Sequence, residues 1–395
     1  MGRIILGIFF YLSLTSVCHA QKSYFKTGKP SSKHYYTEIT YEEVRGKIII
    51  PVSIDGKVYR FLFDTGAPNL ITSDLWKTIK SKKTRSLSVT DINQKKQRMD
   101  LITIQKLSLG NISFKNTGAL MFNGKNNLVI DCFKVDGFIG SNLLRKSIIQ
   151  IKPKEKRLIL TNDPKKLDLN EEHASPLILV GNQSSPYINI KLKGDHSGNE
   201  NLLFDTGASG FYDLCKKNYK TLEEKNIATV LSKGKGASSV GMFGVAEKSV
   251  QYRLKIPELT INNQIFTNVI TTTGDDDNSR IGSDILKYGN VTLDFIKRKF
   301  YFTPFEANND LDEKLFGFSP TIIDKKLVVG FVWDEALKDH IQFGDEIIEI
   351  NSINYQDKEI CDFITKRSIF KQNNTLNVVI KRQNGEKKTL TIQRK

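Results

Sequence analysis

The apolar positions of this chain come in short runs that are separated by polar turns. Typical runs are GKIIIPVSID at 46–55, LITIQKLSLG at 101–110 and SIIQIKP at 147–153. β-branched residues dominate them, and apolar positions with the helical period of about 3.6 are rare, so the pattern predicts a mainly β chain. An apolar content of 39% and a charged content of 26% are ordinary for a globular protein.

The sequence contains an internal duplication. FLFDTGA at 61–67 returns as LLFDTGA at 202–208, so that Asp205 follows Asp64 by 141 residues. Three further blocks recur in the same order: LITIQKLSLGNISFKN with RLKIPELTINNQIFTN, GFIGSNLL with SRIGSDIL, and IIQIKPKEKRLIL with TLDFIKRKFYF. A repeat of this length predicts two copies of one domain-sized unit, over 45–170 and 171–305.

Each copy places an aspartate at the end of an apolar strand. A lone ionised carboxylate is costly in such a setting. If the two copies pack about a pseudo-two-fold axis, Asp64 and Asp205 meet and share a proton, which lowers that cost. Such a pair can hold a water and activate it for attack on a carbonyl group, with a titration that belongs to the pair. The alternative is two structural turns in a duplicated β domain.

The doubled FDTGA motif and the later Ile-Gly blocks resemble the pepsin- and retropepsin-like aspartic peptidases over most of 45–305. The resemblance implies two β-barrel lobes, a polypeptide substrate lying extended between them, and no metal or cofactor. It also implies active-site support from ten residues: Thr65, Gly66, Ala67, Ile139, Gly140, Thr206, Gly207, Ala208, Ile281 and Gly282. The threonines would make hydrogen bonds between the lobes, and the DTG glycines would donate N–H groups to the carboxylates.

Ala67 and Ala208 stand where pepsin-like enzymes have Ser or Thr, which is the retropepsin form. Loss of a hydroxyl hydrogen bond to each carboxylate predicts a raised pKa for the pair and a less acidic activity optimum.

A flap over the cleft is expected from the same resemblance. In the first copy, VTDINQKKQRMD has neither a Tyr nor a Gly-rich tip. In the second copy, the Gly-rich GKGASSVGMFG at 234–244 predicts a mobile lid that includes Gly241, Met242, Phe243 and Gly244. A plain surface loop is the equal alternative.

The C-terminal residues form a third unit. Polar residues 306–312 predict a linker, and 313–395 resembles a PDZ domain, a small α+β unit. Leu315, Phe316, Gly317 and Phe318 match its carboxylate-binding loop, and FGDEIIEIN matches its later turn and strand. The resemblance implies binding of a peptide C-terminus. A rigid appendage without a ligand is the other interpretation.

The first residues predict export. Arg3, the apolar run ILGIFFYLSLTS and Cys18-His19-Ala20 predict a signal peptide over 1–20, followed by a leader over 21–44. We expect a secreted or periplasmic protein with no integral membrane segment after cleavage, and a bacterial source. A lipoprotein acylated at Cys18 is less favoured, because Val17 stands where a small residue is expected.

The net charge is +16, but the sequence contains no nucleic-acid-binding motif, and export argues against a nucleic-acid partner. We therefore expect the basic residues to form a solvated surface. Cys132, Cys215 and Cys361 remain after signal removal, and an odd number leaves at least one thiol free or paired with another chain. The sequence therefore predicts an exported aspartic endopeptidase. The alternatives are a catalytically silent scaffold that recruits partners through the PDZ-like unit, and a peptidase that cuts only one partner or itself.

Overall fold

The computed structural model describes residues 24–395 except 125–126, 238–239, 357 and 367. The predicted signal peptide 1–20 lies outside the described residues. In the described part, no helix combines the length and the apolar character needed to cross a membrane.

The described part of the first lobe is built from strands and short helices. Its strands are β1 (Lys29–Pro30), β2 (Tyr36–Thr40), β3 (Glu42–Val44), β4 (Lys47–Ile54), β5 (Lys57–Asp64), β6 (Leu70–Thr72), β7 (Ser81–Thr90), β8 (Lys96–Leu109), β9 (Ile112–Phe122), β10 (Gly137–Gly140), β11 (Ile148–Lys152) and β12 (Arg157–Thr161). Its helices are α1 (Ser73–Thr78), α2 (Leu128–Phe133) and α3 (Ser141–Leu144).

One sheet of the first lobe closes on itself. Its strand order is β1-β9-β6-β10-β5-β4-β8-β7, with β3 beside β4 and an additional pairing of β8 with β9. The β4–β5 hairpin turns at Asp55-Gly56, where both residues have positive φ (49° and 82°). An Asp-Gly pair tolerates this conformation, which suits the twist of a two-residue hairpin. The hairpin sets the register of β5, which ends at Asp64.

The second lobe repeats this architecture. Its elements are two short 3₁₀ turns (Pro164–Lys166 and Glu171–His173), β13 (Ala174–Pro176), β14 (Ile178–Val180), β15 (Ser185–Lys193), β16 (Ser197–Phe204), β17 (Tyr212–Cys215), α4 (Lys216–Glu224), β18 (Thr229–Gly236), β19 (Val240–Gly241), β20 (Gly244–Val245), β21 (Ser249–Ile261), β22 (Gln264–Gly274), β23 (Arg280–Ile281), a 3₁₀ turn (Ser283–Lys287), β24 (Gly289–Asp294), β25 (Lys299–Pro304) and β26 (Asn309–Asp310). Its main sheet has the order β14-β15-β16-β23-β17-β22-β21-β18. From β15 to β22, each pairing has its counterpart in the first lobe, as the sequence duplication predicts.

A shared sheet joins the lobes. Its order β13-β25-β24-β11-β12-β2 takes strands from both halves, and β11 pairs antiparallel with β24 at the junction. A single apolar core also runs through both lobes, from Ile39 to Phe302. The two copies therefore share one continuous core, and the mainly β, duplicated fold is confirmed.

Two predicted boundaries differ from the structure. The segment 21–44 was expected to precede the fold as a leader, but from residue 29 it supplies β1, β2 and β3, which pair with β9, β12 and β4. The segment 306–312 was expected to be a linker, but β26 pairs with β22. Backbone N–H and C=O groups beside an open strand edge favour such pairing.

The C-terminal unit has its own sheet and core. Its elements are β27 (Phe318–Ile323), β28 (Lys326–Val332), a 3₁₀ turn (Glu335–Leu337), β29 (Glu346–Ile350), β30 (Ile353–Asn354), α5 (Ile360–Thr365), α6 (Ile369–Gln372), β31 (Thr375–Lys381) and β32 (Lys387–Gln393). The strand order is β27-β28-β29-β31-β32, with β30 beside β29. A separate apolar cluster fills it, so this unit is a third domain whose PDZ character stays a prediction.

A disulfide ties the C-terminal unit to the first lobe. Cys132 of α2 is bonded to Cys361 of α5, across 229 residues of sequence. Cys215 is the free cysteine of the described residues and is buried. One thiol is therefore left over, as the odd count predicts.

We predict that Cys361→Ser destabilises the C-terminal unit. A cross-link over so long a loop restricts the unfolded chain, and its loss costs about 2–4 kcal/mol. Urea unfolding should be followed by the fluorescence of Trp333 in a Trp76→Phe background, since the chain has 2 tryptophans. Reduction of the wild type should reproduce the effect, and Cys215→Ser should leave the response to reduction unchanged. An equal midpoint for Cys361→Ser and its parent would contradict the prediction.

Candidate active site

The two DTGA turns are held by matching strand pairs. β10 runs parallel to β5, with Gly140 opposite Asp64. In the second lobe, β23 runs parallel to β16, and the Asp205 N–H donates to Ile281 O at 2.9 Å. A Cβ at Gly140 would lie 2.2 Å from Ala67 O, so this position needs a glycine. The Ile-Gly pairs thus support the aspartates from beneath.

Asp64 and Asp205 meet where the lobes meet. Each carboxyl group lies against the DTGA glycine of the other lobe. A Cβ on Gly66 would lie 2.5 Å from Asp205 Cγ, and one on Gly207 would lie 2.3 Å from Asp64 Cγ. The glycine of each motif therefore makes room for the carboxyl group of the other lobe. Gly66 and Ala67 both donate N–H groups to Asp64 Oδ1 at 3.0 Å, and Gly207 donates to Asp205 Oδ1 at 2.8 Å.

Two threonines link the lobes beneath this pair. The Thr65 hydroxyl accepts from Thr206 N–H at 3.0 Å and donates to Phe204 O at 2.6 Å. The Thr206 hydroxyl accepts from Thr65 N–H at 3.1 Å and donates to Phe63 O at 2.8 Å. Both side chains are fully buried. This reciprocal set of four hydrogen bonds fixes the two motifs against each other.

The pKa of Asp64 is raised from its ordinary 3.8 to about 7. Burial is the largest cause, followed by the negative charge of Asp205, while Lys47 opposes the shift. No hydroxyl is among the causes of this shift, so the effect expected from Ala67 and Ala208 stays a prediction. Because the folded-state pKa lies above the ordinary value, protonation of Asp64 contributes to folding stability. This contribution is fully present below about pH 4 and is lost as the pH rises through about 7.

A buried arginine adjoins the pair, which the sequence reasoning missed. Arg280 Nη1 donates to Asp205 Oδ2 at 2.7 Å, and the two side chains are 8% and 7% exposed. Its Nη2 contacts the Asp276 carboxylate. Asp275 and Asp276 follow β22. Asp276 binds Arg280, and Asp275 Oδ2 accepts from Gln251 Nε2 at 2.7 Å.

A lysine and a third aspartate complete the charged surroundings. Lys47 Nζ donates to Gly207 O, and its pKa is lowered by burial against the opposing charges of Asp205 and Asp64. Burial raises the pKa of Asp213 to about 6, with Arg280 acting in the opposite direction. Sequence reasoning missed these residues because their charges are brought together only by folding. The one available signal was that Arg280 replaces an apolar residue of the duplicated block.

The predicted lid forms a hairpin that reaches the first lobe. We call β19, β20 and the Met242-Phe243 tip between them the lid. Met242 and Phe243 pack on an apolar cluster of the first lobe, the lid-facing cluster. Its buried members are Ile49, Leu62, Leu70, Met99, Leu101, Leu120, Phe122, Ile130, Phe133, Val135 and Phe138. Asn127 Nδ2 also donates to Met242 O at 2.7 Å.

The first lobe also supplies a hairpin tip, at residues 91–95 between β7 and β8. Asp91 Oδ2 accepts from Phe243 N–H at 2.8 Å, and Asn93 Nδ2 donates to Gly244 O at 2.8 Å. A Cβ at Gly241 would lie 2.4 Å from Asp91 Oδ2, so the glycine permits this approach. The first copy lacks a Tyr or Gly-rich tip, yet its hairpin meets the lid directly.

The predicted carboxylate-binding loop is partly used by the chain itself. Leu315 and Lys395 exchange backbone hydrogen bonds at 2.9 and 3.0 Å. Gly317 O accepts from Trp333 N–H at 2.8 Å, and Phe316 and Phe318 are buried against Phe370. The Leu315 N–H group is therefore already engaged, and peptide binding by this loop stays a prediction.

The Aspartyl protease family model matches residues 50–143, which is less than half of the chain. This segment holds Asp64 and the Ile139-Gly140 pair, while Asp205 lies outside it. The match supports a unit of the aspartic peptidase type around Asp64.

No curated protein matches the sequence. Among solved structures, the chain is similar to the crystal structure of an aspartic proteinase from Irpex lacteus, at 13% identity and a TM-score of 0.42, over 69% of this chain and 98% of that one.

We predict that Thr206→Val weakens the joint between the lobes. The change removes one donor and one acceptor from a buried set and leaves the Thr65 N–H and Phe63 O groups without their partner, which costs about 1–3 kcal/mol. Thr206→Ser keeps the hydroxyl and is the matched control. Thermal unfolding should show a lower melting temperature for the valine variant than for the serine variant, and equal values would refute the role of the hydroxyl.

We predict that Asp91→Ala loosens the lid. The variant removes the acceptor of the Phe243 N–H group, so amide exchange at 240–245 should become faster while exchange in β5 stays unchanged. Hydrogen–deuterium exchange with mass spectrometry measures both segments at once. Exchange at 240–245 that matches the wild type would show that the Asp91 contact does not hold the lid.

Proposed function

We propose that this protein is an exported aspartic endopeptidase that hydrolyses peptide bonds with a water held between Asp64 and Asp205. The observation that carries the proposal is the geometry of the lobe junction, where each of these carboxyl groups lies against the DTGA glycine of the other lobe. Two carboxyls this close cannot easily both ionise, so one proton is shared. A carboxyl pair with one proton and one negative charge contains both a general acid and a general base.

The reaction follows from that pair. The water oxygen attacks the carbonyl carbon of the substrate, and the ionised carboxyl takes a proton from this water. The protonated carboxyl gives its proton to the carbonyl oxygen, which yields a neutral diol. The carboxyl that took the proton from the water then protonates the amide nitrogen, and the C–N bond breaks. A diol hydroxyl returns a proton to the other carboxyl. The acid and amine products leave the pair in its starting state.

The lid and the lid-facing cluster support a polypeptide substrate. An extended peptide can bind by backbone hydrogen bonds as an added strand. The lid lies against the apolar cluster of the first lobe, and a closed lid would keep other water away from the carboxyls. The C-terminal unit would bind substrate or a peptide C-terminus, as a further part of this proposal.

The second candidate is a scaffold without activity. It is favoured by the C-terminal unit, which is disulfide-bonded to the first lobe, hydrogen-bonded to the second, and carries its own core. The intact hydrogen bonds around Asp64 and Asp205 argue against it, since a silent scaffold does not need two costly carboxyl groups in contact.

The test is cleavage of a mixed peptide library by wild type, Asp64→Asn and Asp205→Asn. Each variant should lose about 10²–10⁴-fold in rate, because an acid or a base is removed. A statine transition-state inhibitor should block the wild type. Wild-type activity should fall as the pH rises past about 7, where Asp64 loses its proton.

Asp294→Asn is the matched control. Asp294 is buried, and its Oδ1 accepts the Ile296 and Lys297 N–H groups at 2.9 and 2.8 Å, in the same pattern as Asp64. It lies in the shared sheet, so its variant should keep full activity. Equal cleavage by all variants would rule out the carboxyl pair, and no cleavage by a folded wild type would favour the scaffold.

A further inference from the structure

The two halves of the site differ at the residue that precedes each Ile-Gly pair. In the first lobe, Phe138 precedes the Ile-Gly pair and stands opposite Leu62 on β5. In the second lobe, Arg280 takes that position, opposite Leu203 on β16. Phe138 is buried in the lid-facing cluster. Arg280 is almost as enclosed, but it reaches a carboxylate of the pair instead.

We propose that Arg280 is a positioning residue that keeps the negative charge of the pair on Asp205 and leaves the shared proton on Asp64. The inference rests on the proposed peptidase function and deepens it, because it gives the two carboxyls different parts in one reaction.

The oxygen atoms of the two aspartates have unequal partners. Asp205 Oδ2 accepts from the Arg280 guanidinium at 2.7 Å, and its Oδ1 accepts from Gly207 N–H at 2.8 Å. Asp64 Oδ1 accepts two neutral N–H groups, from Gly66 and Ala67. A charge-assisted hydrogen bond is stronger than a neutral one, and burial strengthens it further. The proton of the pair is therefore displaced from Asp205 toward Asp64.

A second carboxylate holds Arg280 in place. Asp276 contacts its Nη2, so the guanidinium bridges the loop after β22 and the catalytic turn after β16. The planar fork of an arginine suits two carboxylates at once, which a lysine cannot reproduce. Asp276 therefore holds the guanidinium next to Asp205.

Other charged groups also face this region, so an experiment must distinguish the effect of Arg280 on Asp205 from theirs. The titratable and charged groups around Arg280 and the pair are Lys47 on β4, Asp64 at the end of β5, Tyr187 on β15, Asp205 after β16, Asp213 on β17, Asp276 after β22 and Asp284 after β23. Lys47 acts on both carboxyls of the pair, whereas Arg280 forms its ion pair with Asp205. Burial raises the pKa of Asp64, which agrees with a proton on that residue.

The reaction then has a defined direction. Asp205 is the base that takes the proton of the attacking water, and Asp64 is the acid that protonates the carbonyl oxygen. After the attack, Asp205 carries the proton that goes to the leaving nitrogen, and the diol returns a proton to Asp64. Arg280 itself gives and takes no proton. It limits how readily Asp205 becomes protonated before substrate arrives, and so extends activity toward lower pH.

The test compares Arg280→Gln with Arg280→Lys and wild type. Loss of the cation should move the acid limb of the kcat/KM profile to higher pH by about one unit or more, and the lysine variant should recover part of that shift. Because Arg280→Gln leaves Asp276 without its partner, the double variant Arg280→Gln with Asp276→Asn is measured as well. Lys299→Gln breaks an exposed ion pair with Glu171 and should leave the profile unchanged.

A direct titration separates this inference from the peptidase function. Aspartate labelled with ¹³C at the carboxyl carbon should show in the wild type that the Asp64 signal changes near pH 7, while the Asp205 signal keeps a carboxylate shift. Asp64→Asn and Asp205→Asn assign the two signals. In Arg280→Gln, both signals should titrate.

Two results would overturn the inference even if the protein cleaves peptides. One is an Asp205 signal that titrates together with Asp64 in the wild type. The other is a kcat/KM profile with the same acid limb in all Arg280 variants. If the folded wild type cleaves nothing while the carboxyl signals behave as expected, the charge assignment stands and the peptidase function fails.

Discussion

Two carboxyl groups in contact, enclosed between two lobes, set the main constraint on this fold. Each alone would be costly to bury. A proton shared between them would lower that cost, and the surrounding backbone is arranged to hold them. The glycine of each DTGA turn admits the other carboxyl, and the Thr65 and Thr206 hydroxyls join the turns from beneath. The shared sheet and the single apolar core make the lobes one body, so the contact is not left to a mobile interface.

The two halves of the site differ despite their common topology. The first lobe offers an apolar surface, on which Met242 and Phe243 of the lid rest. The second lobe surrounds its aspartate with Arg280, Asp213 and Asp276. A duplicated gene product starts with equal halves, and substitution at a few positions is enough to give each half its own chemistry. A reaction that needs one acid and one base benefits from that inequality.

The C-terminal unit touches both sides of the proposed cleft. Its α5 is bonded through Cys361 to α2, whose N-terminal Asn127 also binds the lid. Its Gly330 O accepts from Ala237 N–H at 3.1 Å, close to where β18 leads into the lid. Arg253 of the second lobe stacks on Trp333, 4.7 Å from the ring centroid. The unit therefore braces the segments that hold the lid, which gives it a structural part whether or not it binds a peptide.

The sequence by itself determined the repeated β architecture and the pairing of Asp64 with Asp205, because period, motif and order are local properties that a duplication displays twice. Its glycines also indicated the segment that forms the β19–β20 hairpin, whose part as a mobile lid stays a prediction. Only the tertiary structure decided that residues 29–44 belong to the first lobe, that Asp91 meets Phe243, that Cys132 pairs with Cys361, and that Arg280 bridges Asp205 and Asp276. Each of these contacts joins residues far apart in the chain, and the energy that selects them comes from burial and from charges brought together by folding. A local sequence pattern contains no information on such burial or on charge contacts between distant residues.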